Sequence, residues 1–458
     1  MLGEFVMKLE LPRRLIPLLL TVIVLPQISF ANDKDRAKVL FWRVAHTQPT
    51  EAQINQIAQE LAKTQSSLST ESDRQEAMRS AVAVAMADKG FVNKSLVRLF
   101  TVSSSRDEDV LTSFNDAVAL QVGLARDDID FRRVLFGDEY YAAPSTLMVR
   151  MSGAGVPVNP NDPLNGARRV SGWLGTPGGT GPIGTLRWAG QTSNGHFEEL
   201  MANDVDLSQA ANFSNFGQMA TVFRTTPGAD PAGVITTRQF ASQYFDAGTN
   251  RRMFRYVLKN YLCMDLEDIK DTTVYDAYIR RDVDRKPSGD RLNFQANCKG
   301  CHGIQDAFGG AFAYFDFKGN RLSYKETKDS SGAVIVENKV TRNGDVYPNG
   351  YVPRDDTWRN TIPTSAVEAN RDRMGWRTPD GGSFLEGKGA ASLGKALAYT
   401  KAFSSCQAKK VFRHLCLRDP AAGEKARLEQ IVQQFEQGDG SKKYTIRSLF
   451  EGVAGLCL

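Results

Sequence analysis

The chain contains one pentapeptide whose residue types and spacing indicate a specific chemistry. Residues 298–302 read Cys-Lys-Gly-Cys-His, which is the CxxCH attachment signature of a c-type haem. Two thiols three residues apart near a helical turn can form thioethers to the two vinyl groups of one porphyrin, and the adjacent imidazole can bind the iron as proximal ligand. The sequence therefore predicts one covalently attached haem c, held by Cys298, Cys301 and His302.

Three other uses of the motif cysteines compete with haem attachment. A zinc site needs further Cys or His at finger-like spacing, and none follows within range. A thioredoxin-like redox pair needs an apolar strand ahead of it, which residues 293–297 do not supply. The two thiols can also be ordinary disulfide partners. Covalent haem is favoured over all three.

The residue opposite His302 on the iron decides which reaction the haem supports. Methionine there raises the reduction potential and suits electron transfer, whereas an open position allows small-molecule binding or peroxide chemistry. Met374 is the only methionine after His302, so we predict it as an iron ligand, with simple core packing as its alternative role. His196 and His414 are the imidazole alternatives, and His46 is expected at a helix end.

A group of aromatic residues follows the motif directly. It comprises Phe308, Phe312, Tyr314, Phe315 and Phe317. These rings either form the walls of a porphyrin site or belong to the ordinary core.

Composition limits the class of protein. The chain has 458 residues, 41% of them hydrophobic and 24% charged, which is typical of a globular protein of two or three compact units. These values exclude a disordered chain, a collagen-like fibre and a disulfide-dense mini-protein. The surplus of 57 basic over 52 acidic residues is too small and too dispersed to indicate nucleic-acid binding.

Residues 1–31 have the order of regions found in a secretory signal peptide. Arg13 and Arg14 precede the apolar run Leu15–Ile28, which ends in the small-x-small cleavage signature Ser29-Phe30-Ala31. The apolar run is shorter than the roughly twenty residues that a membrane-spanning helix needs. We expect a protein exported to the periplasm or cell envelope, without an integral membrane anchor after cleavage of the signal.

The spacing of apolar residues predicts a mainly α fold. A capping box at Thr50-Glu51-Ala52-Gln53 leads into a stripe of Ile54, Ile57 and Leu61. Further helices are predicted at 72–88, 91–101, 108–125, 236–247, 251–262, 391–416, 422–437 and 444–456. Alternating residues at 333–336 predict a short hairpin.

The remaining cysteines predict two disulfides. They are Cys263, Cys406, Cys416 and Cys457, which allow three pairings. Cys406 and Cys416 are ten residues apart along one predicted helix, a rise of about 15 Å, whereas bonded cysteines have Cα atoms within about 7 Å. We therefore favour a bond that attaches Cys457 to the helix of residues 396–417.

The C-terminal half resembles a known class of proteins. The segments that carry the resemblance, besides the CxxCH, are Thr236–Phe240, Gly248–Arg252, Tyr261–Cys263, Asp306–Phe317, Asp355–Trp358, Ser392–Gly394, Ala402–Phe403 and Cys406–Phe412. They resemble exported bacterial cytochrome-c-like proteins that are built from consecutive domains of unknown function, with one haem motif each. The resemblance covers residues 230–458 well and 35–142 weakly. Members often carry Met-Asp-Pro shortly after the CxxCH, where this chain has Gln305-Asp306-Ala307.

The resemblance implies haem attachment and an envelope location, but it names no substrate. We expect a signal peptide (1–31), a helical N-terminal domain (32–142), a Gly/Pro-rich irregular connection (143–230) and a loop-rich, cytochrome-c-like haem domain with C-terminal helices (231–458). The expected function is one-electron transfer with a redox partner protein of the envelope. A haem enzyme of peroxidase type with an open distal site, and a non-enzymatic binding module with structural haem, are the alternatives.

Overall fold

The described part of the chain is mainly helical. The computed structural model describes residues 32–65, 69–107, 112–144, 148–150, 167–169, 194–217, 230–245, 250–324, 330, 346–364, 368–438, 440 and 442–458. It is 61% helical and 6% strand, which confirms the predicted fold class. The predicted signal peptide and the hairpin predicted at 333–336 lie outside these ranges.

The helices and strands are distributed along the whole described chain. The α-helices are α1 (Asp33–Ala45), α2 (Glu51–Gln65), α3 (Glu71–Met86), α4 (Val97–Thr101), α5 (Asp116–Arg126), α6 (Gly195–Ala202), α7 (Arg238–Tyr244), α8 (Arg251–Val257), α9 (Leu266–Ile269), α10 (Arg291–Asn293), α11 (Lys299–Phe308), α12 (Glu368–Arg373), α13 (Gly389–Ala398), α14 (Lys401–Cys416), α15 (Lys425–Gln437) and α16 (Ile446–Ala454). The strands are β1 (Tyr141–Ala142), β2 (Met148–Arg150), β3 (Ala167–Arg169), β4 (Ser214–Asn215), β5 (Phe315–Lys318), β6 (Arg321–Tyr324), β7 (Thr357–Arg359) and β8 (Glu386–Lys388). Short π-helical segments cover Phe91–Leu96, Leu258–Leu262 and Phe294–Cys298.

Helix α2 begins where the sequence predicts it. The Thr50 amide donates to Oε1 of Gln53 at 2.8 Å, and the Gln53 amide donates to Oγ1 of Thr50 at 3.3 Å. This reciprocal capping satisfies amides that have no partner within the helix. The predicted stripe of Ile54, Ile57 and Leu61 is buried, so α2 packs against its neighbours through that face.

The helix predicted at 108–125 begins later than predicted: residues 112–115 are not helical, and residues 108–111 lie outside the described ranges. Helix α5 begins at Asp116, and Asn115 is its N-cap, with the side chain accepting from the amides of Ala117 and Val118 at 3.1 Å each. Asparagine favours this role because its side-chain oxygen replaces the missing helical acceptor. Phe114 therefore lies before the helix and is buried.

The single helix predicted at 391–416 is two helices. Thr400 lies between α13 and α14, and its hydroxyl accepts from the amide of Phe403 at 3.2 Å. A threonine in this position starts a new helix rather than continuing the old one. The predicted helices at 422–437 and 444–456 correspond to α15 and α16.

The described part of residues 143–230, the region predicted as an irregular connection, contributes to the hydrophobic core. Within residues 143–230, α6 has Phe197 and Leu200 fully buried, and the segment after it buries Leu207 and Phe213. All four belong to a hydrophobic cluster that also contains residues of α1, α14 and α16. The helical N-terminal region and the region around the CxxCH thus share one core.

The strands form antiparallel pairs. These are β1 with β4, β2 with β3, β5 with β6 and β7 with β8. The β5–β6 hairpin uses the aromatic run that follows α11, pairing Phe315 with Tyr324 and Phe317 with Leu322. Among the residues described, none of the helices combines the length and apolar composition required to cross a bilayer.

Two disulfides hold the C-terminal helices. Cys263, after the second π-helical segment, bonds Cys406 of α14, and their Cα atoms are 5.3 Å apart. Cys416 at the end of α14 bonds Cys457, across a separation of 41 residues. The favoured attachment of Cys457 to this helix is therefore the one observed, and Cys406 and Cys416 do not bond each other.

Candidate functional site

The motif lies at the start of α11. Cys298 is the N-cap residue, and Cys301 and His302 lie in the first turn. At about 100° per residue, their side chains leave the helix on one side. Both cysteines are free thiols and are partly exposed, and the side chain of His302 is 24% exposed.

The opposite side of α11 is packed closely against residues 271–274. A Cβ atom on Gly300 would lie 3.2 Å from the Asp271 nitrogen, and one on Gly303 would lie 3.0 Å from Cγ1 of Val274. Glycine at both positions permits this close approach. The packing therefore uses the glycine face of α11 and leaves the cysteines and the histidine on the other face.

His302 is oriented by a buried carboxylate one turn along the helix. Its Nδ1 lies 3.3 Å from Oδ2 of Asp306, and Asp306 is fully buried. An ionised carboxylate accepts only, which places the ring proton on Nδ1. With this tautomer Nδ1 cannot also accept from Nε2 of Gln305, which lies 3.4 Å away. The lone pair is then on Nε2, which has no hydrogen-bond partner within the described residues.

Two arginines hold Asp306 in its charged form. Arg251 donates to Asp306 from Nε at 2.5 Å and from Nη2 at 3.2 Å, and the Arg280 amide donates to it at 3.0 Å. Arg251 also bonds both oxygens of Asp282, at 2.6 and 2.8 Å. Burial by itself raises the pKa of Asp306, but Arg251, His302 and Arg280 outweigh it and hold the pKa well below its usual range. Asp306 is thus a fixed acceptor for His302.

The two thiols have different surroundings. Cys298 contacts a small cluster of Ile279, Val283 and Phe294. The sulfur of Cys301 lies 3.7 Å from Oε1 of Glu267. Burial and then the nearby Glu267 charge raise the pKa of Cys301 to about 11. Catalytic thiols of redox motifs have lowered pKa values, so this environment does not favour the thioredoxin-like alternative.

The aromatic residues after the motif pack mainly on other protein rings. Phe308 stacks on Phe254, with ring centroids 4.4 Å apart, and Phe312 meets Phe245 at 5.7 Å. Tyr314 and Phe315 both contact Tyr324 of the hairpin. These contacts are typical of rings in the hydrophobic core rather than of rings that form the walls of an open porphyrin site.

Met374 is fully buried in the main core. It directly follows α12, and its carbonyl accepts from the Ala402 amide at 3.1 Å. Asn370 of α12 donates to the carbonyls of Ile269 and Lys270, both at 3.1 Å. Met374 is thereby held between α9 and the start of α14, and its role as an iron ligand stays a prediction.

The other histidines use a ring nitrogen within the protein. Nε2 of His196 accepts from the Ala143 amide at 3.1 Å, and Nε2 of His414 lies 2.8 Å from Oγ of Ser95. His46 is the C-cap of α1, as predicted, and stacks on His414 with ring centroids 4.9 Å apart.

Sequence reasoning missed the residues that orient His302. Asp306 follows His302 by four positions, and such a pair shares one helix face, so that spacing is a usable signal. Arg251 and Arg280 come from distant segments and give no local signal.

Comparison with known proteins adds no assignment. No family model, no curated protein and no solved structure matches the chain. Within the described ranges no three or more His, Cys, Asp or Glu side chains are grouped to hold a metal ion. A haem does not require such a group, since the porphyrin supplies four of the ligands and the protein only axial ones.

Proposed function

We propose that this chain is an exported c-type cytochrome, which carries one haem at Cys298, Cys301 and His302 and exchanges single electrons with a redox partner protein in the cell envelope. The observation that supports it best is the orientation of His302. Its Nδ1 faces Asp306 at 3.3 Å, while both free thiols leave α11 on the same side. Metal-binding histidines are typically oriented in this way by a carboxylate at the second nitrogen.

Each residue of the site has a distinct task in this proposal. Cys298 and Cys301 would anchor a bound haem through thioethers, and His302 would offer its Nε2 lone pair to the iron. Asp306 fixes the tautomer of His302 and, through the hydrogen bond at Nδ1, would strengthen donation from Nε2 to a metal. Arg251 keeps Asp306 ionised, because it donates two hydrogen bonds to the carboxylate. When bound, the haem supplies a one-electron iron couple.

The other four cysteines support an exported location. They form the pairs Cys263–Cys406 and Cys416–Cys457. Disulfides of this kind persist in oxidising compartments and are rare in the cytosol. Together with the predicted signal peptide of residues 1–31, they favour the periplasm or cell envelope.

Met374 is the proposed second axial ligand. A thioether opposite His302 suits electron transfer because it raises the reduction potential. The volume-conserving variant Met374→Leu is expected to lose the methionine charge-transfer band of the ferric protein. Met264→Leu, at a partly buried position packed against the same core, serves as the control. An unchanged spectrum in Met374→Leu would show that Met374 is not an iron ligand.

A haem enzyme of peroxidase type is the second candidate. The Asp306 contact favours it, because a more basic proximal imidazole donates more electron density to the iron. A ferric spectrum that is high-spin and changes on addition of peroxide or cyanide would support the enzyme. A low-spin spectrum insensitive to both would support the cytochrome.

Mass spectrometry tests the haem itself. The chain is produced in a host that exports it and attaches haem, and the intact mass is compared with that of the processed polypeptide. The proposal predicts one additional haem for the wild type and none for the double variant Cys298→Ser, Cys301→Ser. Colourless wild-type protein with the mass of the polypeptide alone would overturn the proposal.

A further inference from the structure

A cavity lies away from the motif, where α1, α4 and α14 meet the π-helical segment Leu258–Leu262. Its volume is about 410 Å³, within the range of sites for small molecules. We call it the basic pocket. Its lining consists of Trp42, Arg43, His46, Arg98, Leu99, Val102, Ser103, Lys259, Asn260, Cys263, Lys410, Arg413, His414 and Leu417.

One wall of the basic pocket is a row of flat rings. Trp42 stacks on His46 with centroids 5.7 Å apart and planes 14° apart, and His46 stacks on His414 at 4.9 Å and 15°. Burial, together with the charges of His46 and Arg98, lowers the pKa of His414 to about 3, so this ring is neutral at pH 7. Trp42 is 44% exposed, which leaves part of its indole surface open to a ligand.

The rest of the lining carries positive charge. The pocket is lined by Arg43, Arg98, Lys259, Lys410 and Arg413, and none of its described lining residues is acidic. The whole chain has a surplus of only five basic residues, 57 against 52. Arg413 is paired with Asp419, but four further cations around a cavity whose described lining has no acidic residue are still a local concentration of positive charge, which attracts anions.

The walls of the basic pocket are fixed to each other. The disulfide between Cys263 and Cys406 joins the π-helical segment to α14, and Lys410 donates to the Asn260 carbonyl at 3.0 Å. Arg413 pairs with Asp419 at 2.6 Å, outside the lining. A pre-formed site loses less entropy when a ligand binds.

We propose that the basic pocket binds a small organic anion that carries a flat ring, of the class of aromatic carboxylates. The ring stacks on the face of Trp42, and the carboxylate accepts from the guanidinium of Arg98. An acidic protein segment is the less favoured occupant, because a cavity of this size holds a small molecule and because a flat wall serves a ring rather than an extended chain.

Calorimetric titration of the full haem-loaded chain tests this proposal with 1-naphthoate as the probe. Acetate supplies the charge without the ring, and 1-naphthalenemethanol supplies the ring without the charge. We expect saturable binding of 1-naphthoate, weaker binding of the other two, and a loss of affinity at high salt because the contact is ionic.

Substitutions at two residues, Arg98 and Trp42, locate the site. Arg98 is exposed, so Arg98→Gln and Arg98→Glu are expected to fold, and the loss of one charged hydrogen bond weakens 1-naphthoate binding about tenfold. Trp42→Leu removes the stacking surface and reduces the preference for 1-naphthoate over acetate. Arg371→Gln, which removes the same charge from α12 outside the pocket, is the control and keeps wild-type affinity. Circular dichroism verifies that each variant is folded.

Several results would overturn the proposal. These are no 1-naphthoate binding at millimolar concentration, equal binding of acetate, and equal binding by Arg98→Glu and the wild type. Saturable binding of a polyglutamate peptide, without binding of 1-naphthoate, would assign the basic pocket to an acidic protein partner instead.

Discussion

His302 and His414 show how neighbouring charge determines what a histidine can do. Each lies on a helix and uses one ring nitrogen within the protein. His302 faces the carboxylate of Asp306 at 3.3 Å, whereas His414 faces the hydroxyl of Ser95 at 2.8 Å and lies near Arg98. A carboxylate makes an imidazole more basic and frees its other nitrogen for a metal. Burial, and after it the nearby His46 and Arg98, instead keep the His414 ring neutral, and the ring serves as a flat surface.

Removing the Asp306 carboxylate should have the largest effect on stability. Asp306→Ala removes the buried carboxylate that faces Arg251, Arg280 and His302 and leaves Asp282 to pair with Arg251, which is expected to lower the free energy of unfolding by about 3–5 kcal/mol. Urea denaturation measures this value. The control is Asp419→Ala, which breaks the exposed pair with Arg413 and should leave stability nearly unchanged. Equal effects of the two variants would show that Asp306 is not the centre of a buried network.

As the pH falls from 7, the first loss of folding stability should come from His414. The pKa of His414 is about 3 in the folded protein and about 6.5 in an unfolded chain. Between these values the unfolded state binds more protons, so stability falls as the pH drops. Asp306 behaves differently: its lowered pKa preserves its contribution until the pH falls below the unfolded value of about 3.9.

Urea unfolding at pH 7 and at pH 5 measures how far the free energy of unfolding falls between the two pH values. We expect His414 to account for a loss of roughly 2 kcal/mol between the two pH values. The variant His414→Gln, which retains a polar group toward Ser95, should lose correspondingly less. An identical pH dependence in the variant and the wild type would contradict the assigned state of His414.

Neutralising the carboxylate without changing its size, in Asp306→Asn, should alter the proposed haem as well as lower the stability of the fold. Asp306→Asn makes the His302 ring less basic, which disfavours the ferric state and raises the reduction potential. A shift on the order of 60 mV corresponds to a tenfold change in the one-electron equilibrium. Spectroelectrochemical titration measures it, with His414→Gln as the control at the other histidine. An unchanged potential in Asp306→Asn would indicate that Asp306 does not tune the iron.

The smallest expected effect concerns the hydroxyl that faces His414. Ser95→Ala removes one buried hydrogen bond between neutral groups, for which a loss of about 1 kcal/mol in the free energy of unfolding is typical. Thermal or urea unfolding at pH 7 resolves a change of this size. A loss as large as that of Asp306→Ala would erase the distinction between the two histidine sites.

The sequence predicts local features well. The capping box at Thr50 and the buried stripe of Ile54, Ile57 and Leu61 are observed as predicted, because caps and periodicity act within a few residues. The bond of Cys457 to α14 was favoured from the rise of a helix alone. The start of α5 and the break at Thr400 were missed, since a capping residue within an apolar pattern is overlooked when only periodicity is followed.

The candidate site could be predicted only in part. The CxxCH is visible in the sequence, but its orientation depends on Gly300 and Gly303 packing against residues 271–274. The buried network around Asp306 and the basic pocket both combine residues that are far apart in sequence. Such groupings are set by tertiary packing, which no local pattern encodes.

The close contact of Gly300 and Gly303 with residues 271–274 has a consequence for maturation of the protein. Residues 303–308 of the motif helix are buried as well, whereas Cys298, Cys301 and His302 stay partly exposed in the folded chain. If haem is attached as proposed, both sulfurs would therefore be accessible to an attachment enzyme after the polypeptide has folded.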